Sequence, residues 1–514
     1  MKSLFLLLAL IATVPDFQTA VLRITGAGSA EDLDESTLER FRALSQHPLE
    51  LNGASRSRLL ASGLLTAFQA ASLLEYRQST GDILSFTELS LVDGFPPDFV
   101  DALRLFARLE SSSPPGKRPS RKLHANLMLR AAAREQDGLS SAYGGKLKAT
   151  LGQTYELNWA GRTAYSGGQV FPGTVSAAAY GRKNLGKIVL GHFNARFGQG
   201  LAQWSGFSLQ PYGSVNSLRR SGTGISATGS FSPEHCGVAA DFDLGRWNVA
   251  AAWSVPDKLP MAHVCYVSKT VTAGATVTGK ALGVDWRIGV PNVSIYGELA
   301  WKSGLQAIAG AMWVPSYGKK VAAVCRYIDG VPEVIAGAGS YTFDAVAALS
   351  SGQFRAIVKY APAIDSGPLK ITPALRLAAR HKDEWRLESR GELQFDYAGW
   401  MLRSRIDLVH CNEYSWLVNA EAARTAGPVI AYVRWTLFRV DNWDDRIYVY
   451  ERDIPGSFNV PAYYGKGWSI SLTGSWKPSP RHAFHYRLCY LSYPWTTTPK
   501  PSKLEVKLQY QLSL

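Results

Sequence analysis

After Val14 the sequence has no uninterrupted apolar run of about eighteen residues, so no transmembrane helix is expected beyond that point. Cysteine is scarce and scattered. Cys236, Cys265, Cys325, Cys411 and Cys489 are odd in number and show no metal-ligand spacing, which argues against a disulfide scaffold or a zinc site. Tryptophan is missing from the first 158 residues, and all 15 lie between Trp159 and Trp495. Lysine is missing from residues 31–110, where thirteen acids and seven arginines leave a net charge of −6. The whole-chain charge of +14 therefore comes from the C-terminal part, and the overall basicity says nothing about the N-terminal part.

What is present divides the chain. Lys2 precedes an apolar run from Leu4 to Val14, the layout of a signal peptide over residues 1–20, with cleavage expected within 20–30. Residues 111–121, SSSPPGKRPSR, read as a linker. A helical module is expected before it, over residues 31–110, and a β-barrel after it, over residues 122–514. The fold class is thus α+β and multidomain.

Helix signals are dense in the module. Thr66 and Gln69 form a capping box, with Ala67, Ala70, Ala71 and Leu74 on one face of the helix that follows. Ser85 and Glu88 suggest a second box. Pro96 and Pro97 suit the start of a helix carrying Phe99, Ala102, Leu103 and Phe106. Gly63-Leu64-Leu65 and Gly94-Phe95-Pro96 mark the turns of two successive helix–turn–helix units.

On these residues, together with Leu51-Asn52-x-Ala54-Ser55, Tyr76-Arg77 and Phe86-x-x-x-Leu89, the segment resembles the tandem helix-hairpin-helix module of ComEA-like and RuvA-like proteins. The resemblance implies a phosphate or partner contact at the hairpin turns Gly63, Leu64, Leu65, Gly94 and Phe95, and DNA phosphate contacts from Arg56 and Arg58. The chain departs from the family's Gly-x-Gly hairpin, since Leu65 and Pro96 replace the second glycines and proline has no N–H to donate. With no lysine and an acidic field, phosphate neutralisation is weak, which favours a packing or protein-interaction scaffold over DNA binding.

Past residue 121 the pattern has period two. KLEVKLQYQLSL sets Leu504, Val506, Leu508, Tyr510, Leu512 and Leu514 against Lys503, Glu505, Lys507, Gln509, Gln511 and Ser513. Trp468, Ile470, Leu472, Gly474 and Trp476 share one face, as do Phe484, Tyr486, Leu488 and Tyr490. A hairpin is expected around Pro291-Asn292. In EWRLESRGELQFDY, Arg386, Glu388, Arg390, Glu392, Gln394 and Asp396 oppose Trp385, Leu387, Leu393, Phe395 and Tyr397. An apolar face backed by a charged face of both signs suits lipid outside and water or ion pairs inside. Aromatics near strand ends fit interfacial girdles. The terminal Leu514 departs from the aromatic end usual in outer-membrane barrels.

The expected architecture is an outer-membrane barrel of about 16–20 strands, at about ten residues per strand. A wall that wide needs water, an inward loop or a plug, and residues 198–235 are the candidate inward or extracellular loop. FGQGLAQWSGF, LRRSGTGIS and SPEHCGVAADF resemble segments of Bacteroidetes-type barrels carrying such a helical module.

Gly198-x-Gly200 lacks the third small residue and the βαβ setting of a dinucleotide site. His192, His235, His263 and His410 have no partner constellation. No catalytic residue, metal or cofactor is expected.

The functional expectation is a non-enzymatic role in transport, pore formation or envelope assembly. Outer-membrane lipid and lipopolysaccharide are the expected surroundings, with the module in the periplasm docking a protein partner or partly closing the barrel mouth. A DNA-uptake protein is the alternative, and a barrel enzyme the third reading.

Overall fold

In a computed structural model the chain forms a wide barrel with helices packed inside it. The structure describes residues 17–27, 33, 35–110, 122–152, 154–165, 173–181, 184–206, 212–268, 270–290, 292–316, 318–362, 364–457, 459–496 and 500–514. The linker expected at 111–121 lies outside the described residues, as does most of the apolar N-terminal run.

Among the described residues, 24 antiparallel strands from Leu123 to Ser513 close on themselves, the first pairing with the last (Leu129 opposite Tyr510). This exceeds the 16–20 strands expected. The reason is local: many strands have only seven to ten residues and are joined by two-residue turns. Val290 pairs with Val293, Ile328 with Val331, and Ser350 with Gln353. Asn292 and Asp329 take the left-handed conformation (φ 64° and 52°) that such turns require.

Side chains divide by parity as the alternation predicts. Leu504 and Leu508 face outward, while Glu505 and Gln509 are buried inside. Trp385, Leu387, Phe395 and Tyr397 are exposed, whereas Arg386 is 5 % exposed. Outward aromatics gather near both ends, with Tyr155, Trp247, Trp313 and Trp400 at one and Trp253, Trp301 and Trp385 at the other. The outer face is an apolar band flanked by aromatics, the surface pattern of a barrel wall that meets lipid.

The two ends differ. At the end holding Leu123 and Leu514, every hairpin closes in two to four residues. The connections 163–173, 197–234, 441–464 and 493–502 all lie at the opposite end.

Before the wall come six helices among the described residues: α1 (Phe17–Thr25), α2 (Glu35–Gln46), α3 (Arg56–Ser62), α4 (Ala67–Thr80), α5 (Phe86–Leu89) and α6 (Pro97–Leu103). They share one apolar core in which Phe41, Leu51, Leu59, Leu73, Phe95 and Phe106 are almost fully buried. Phe106 meets Phe17 and Phe41 edge-on, with centroids 5.9 and 5.0 Å apart.

The Thr66–Gln69 capping box forms, and Pro97 opens α6. On α4 Gln69, Ala70, Ser72 and Leu73 are the most deeply buried, while Ala67 and Leu74 of the expected face pack partly buried against the same core. Phe68 turns instead to the wall, beneath Arg287. Ala20 and Val21 of α1 are fully buried, so cleavage inside the expected window of 20–30 would cut into or remove a packed helix.

Asn52 ties the helical segment together. Its side-chain amide donates to the carbonyls of Ile83 (3.0 Å) and Glu110 (3.2 Å), and its carbonyl accepts from the Ile83 N–H (2.9 Å).

Candidate functional site: the plugged lumen

The charged inner parity of the wall gives the helices a polar surface to dock on, and α3 meets it most closely. Arg58 reaches Glu156 at 2.8 Å and lies over the Tyr180 ring at 4.8 Å. The Tyr180 hydroxyl donates to the same carboxylate at 3.3 Å, and Asn158 donates to its other oxygen at 3.1 Å. Arg56 pairs with Asp243 at 3.5 Å. Ser57 donates to Asp241 at 2.9 Å, and that carboxylate also holds the buried Lys187 at 2.9 Å.

From α2, Glu39 holds Lys146 at 2.5 Å. Just past α2, the His47 ring lies tilted against His124 of the first wall strand, with centroids 4.8 Å apart. Burial, then the positive neighbours His124, Arg108 and Lys148, hold the His47 imidazole below its usual range. The helices are joined internally mainly by apolar packing, and to the wall mainly by ion pairs and hydrogen bonds, with Ala61 of α3 adding a small apolar contact.

Two connections from the opposite end fold in toward these helices. The described residues of segment 197–234, which overlaps all but His235 of the stretch expected to form an inward or extracellular loop, turn inward. The Glu298 carboxylate accepts the backbone N–H groups of Gln199 (2.7 Å), Leu201 (3.1 Å) and Ala202 (2.8 Å). Gly198-x-Gly200, weighed above as a weak nucleotide motif, thus forms a turn gripped by a wall carboxylate. Tyr296 donates to the Leu218 carbonyl at 3.1 Å, and Ser214 donates at 2.6 Å to the carbonyl of Gly26 just past α1. Gly26 sits at φ +74°, where a Cβ would stand 2.8 Å from Asn216; only glycine fits this contact without displacement or strain.

The second connection, 441–464, is stitched to wall arginines. Arg434 donates to the Tyr450 carbonyl and Arg386 to the Arg446 carbonyl, both at 2.8 Å. Arg452 of the connection pairs with Glu421 at 2.7 Å, and Lys507 of the wall with Asp453 at 2.5 Å. Arg487 bridges Glu451 (2.5 Å) and Glu505 (2.7 Å). Sequence reading missed this connection, although its aromatic and charged content contained no run of alternation. A cavity of 570 Å³ remains between α2, α3, the wall and these loops, lined in part by Arg40, Arg42, Lys146, Tyr432 and Arg452.

The residues singled out from the sequence have structural uses here. Leu64, Leu65 and Phe95 are at most 2 % exposed and belong to the helical core. Gly63 ends α3 in the left-handed conformation (φ 70°), and its N–H is bonded to the Leu60 carbonyl. The Leu64 N–H goes to the Ser62 hydroxyl, and the Phe95 N–H to the Val92 carbonyl. Gly94 offers its carbonyl to the Gln69 side chain at 2.7 Å. These turn amides close the helices, and both arginines face wall carboxylates. The helical module packs against the lumen wall, which supplies the acids that α3 matches.

The histidines are dispersed. His192 bonds the backbone of Val175, His235 the side chain of Gln203, and His263 the hydroxyl of Thr276, while His410 stacks on Tyr414. Among the described residues there is no cluster of three or more His, Cys, Asp or Glu able to hold a metal.

No protein-family model and no curated protein matches the chain. Among solved structures it is similar to OpdL of Pseudomonas aeruginosa, with a TM-score of 0.34 and 7% identity over 76% of this chain and 98% of that one. It is likewise similar to OpdK of the same organism (0.32, 11%, 76% and 99%) and to the translocation pore of the P pilus usher PapC (0.39, 9%, 76% and 99%).

Proposed function

We propose that this chain is a gated conduit of the outer membrane, in which the N-terminal helices form a releasable plug. The observation that carries this reading is the contrast between two interfaces. Within the helices one apolar core dominates, as in a folding unit, whereas toward the wall polar contacts dominate: Arg58–Glu156, Arg56–Asp243, Ser57–Asp241 and Glu39–Lys146. Water can replace polar contacts at a far smaller penalty than exposing an apolar core. The interface therefore holds the plug without fusing it to the barrel.

The end with short turns faces the periplasm in this reading, following the asymmetry of such barrels. The plug then enters from the periplasmic side, where a protein partner could engage it. The two helix–turn–helix units serve as a helix-hairpin-helix scaffold whose hairpin amides close helices rather than hold a phosphate. Transport is the role, and no chemistry is assigned to the lumen.

Conductance in planar lipid bilayers tests the proposal. The full chain should be quiet for most of the record, and a chain lacking residues 17–110 should show large, sustained openings. Equal conductance of the two, or silence of a deleted chain that has assembled into a heat-modifiable barrel, would overturn it.

A further inference from the structure

Strand register places like charges side by side on one part of the lumen wall. In three adjacent strands (Gln353–Tyr360, Leu369–His381 and Trp385–Tyr397), Arg355 stands directly opposite Arg380, and Arg380 directly opposite Arg386. Four residues further along the first strand the arrangement repeats, with Lys359 opposite Arg376 and Arg376 opposite Arg390. All six point inward, because Val358, Leu375, Leu377 and Leu387 occupy the outward parity of the same strands. Neighbouring strands are about 4.8 Å apart and four residues span about 13 Å, so six cations share a small panel.

Directly opposed like charges destabilise a sheet; Asp344 stands directly opposite Lys359, but the wall carboxylates Asp344, Glu388 and Asp407 are still fewer than the cations of this panel. Glu388, between the rows, takes both Arg376 (3.1 Å) and Arg386 (2.7 Å), and Asp407 takes Arg390 (2.9 Å). Neither Arg355 nor Arg380 has an ion pair among the described residues. Arg355 lies 4.3 Å from the centre of the Tyr212 ring, whose hydroxyl is held by Glu333. Asp383 and Glu384, on the turn between the second and third of these strands, and Asp444, on the inward connection 441–464, line the same cavity as Arg355 and Arg380, as does Glu333, which is paired with Arg326.

Two cavities open on this panel. One of 680 Å³ is lined by Arg355, Arg380 and Arg386, and one of 250 Å³ by Lys359, Arg376 and Arg390; Arg386 lines both.

We propose that this panel is a binding site for a small solute bearing two or more carboxylate or phosphate groups. Guanidinium groups present planar forks that match either oxyanion with paired hydrogen bonds. A row of them spans about 10 Å, enough to meet two charged groups of one solute. The solute supplies the counter-charge that the wall lacks. The site rests on the register and the cavities, so it stands whether or not the lumen conducts.

The test is calorimetric titration of the full chain in detergent at low ionic strength with inorganic phosphate, with citrate and with neutral sucrose. Saturable binding of citrate or phosphate, and none of sucrose, is expected. Binding of citrate alone would identify carboxylate as the recognised group, and binding of phosphate alone would identify phosphate. The double variant Arg355→Gln/Arg380→Gln relieves repulsion, so it should assemble normally and bind at least about tenfold more weakly. Arg439→Gln, an exposed cation elsewhere on the wall, should bind like the parent. No saturable binding of either anion up to about 10 mM, well above the range of a specific site, would overturn the proposal. So would unchanged affinity in the double variant, or an equal loss with Arg439→Gln.

Discussion

Replacing Arg58 with alanine should loosen the plug measurably. Arg58 and Glu156 are 19% and 9% exposed and 2.8 Å apart, so the substitution leaves a nearly buried carboxylate without its main partner. Breaking such a pair from one side costs about 3–5 kcal/mol. The lower end applies here, because Lys148 at 3.6 Å and Asn158 at 3.1 Å still serve Glu156. About 3 kcal/mol is roughly a hundredfold change in an equilibrium. In planar bilayers the open fraction of Arg58→Ala should therefore rise by about that factor while the open-state conductance stays the same. Glu156→Gln should act in the same direction, and the double variant should fall well short of the summed effects, since both changes remove one interaction. Arg58→Lys keeps the charge but loses the fork and the stacking on Tyr180, and should fall between parent and alanine variant. If Arg58→Ala and Glu156→Gln each stay within about twofold of the parent, this contact does not hold the plug and the reasoning fails.

Other consequences can be checked alongside. Asn52→Ala strands the buried N–H and carbonyl of Ile83 at about 1–3 kcal/mol each; residues 17–110 should become protease-sensitive while the barrel keeps its heat-modifiable gel mobility. Ile406→Arg puts a charge on the lipid-facing side of the strand Trp400–His410, at a cost of about 2–4 kcal/mol near the bilayer midplane, and should lower the assembled fraction on gels. The His47 value is depressed from 6.5, so neutral histidine favours the docked state. Docking is then strongest above about pH 6.5 and is lost as pH falls from there toward the lower docked value. Openings should grow more frequent on acidification over that window, and His47→Gln should flatten the response.

How much of this was legible depended on the range of the interactions. Outward residues such as Ile470 and Leu472 alternate with inward Ser469 and Ser471 because a strand's faces are set by its own chain, and one strand suffices to show it. The capping box at Thr66–Gln69 is legible for the same reason. Strand number was not, since it depends on turn length, and two-residue turns such as the one before Val331 leave little mark between alternating runs. The position of the helices was not legible either. It rests on pairs far apart in sequence, Arg58 with Glu156 and Ser57 with Asp241, and each partner by itself reads as a solvated polar residue. The panel around Arg380 needed the register of three strands before its like charges became neighbours. Arg56 and Arg58 are the instructive case: the fold resemblance suggested phosphate contacts, and the wall carboxylates explain the same charges.

The central claim is that α3 sits against the inner wall in the native membrane. The paired substitutions Ser57→Cys and Asp243→Cys, in a background whose five native cysteines are replaced, can be probed in intact outer membranes with a short bis-maleimide. The account predicts efficient intramolecular cross-linking that needs both introduced thiols and that suppresses openings when the cross-linked protein is moved to bilayers. Absence of the cross-link in a properly assembled barrel, with the α3 thiol freely labelled by a bulky reagent, would contradict it.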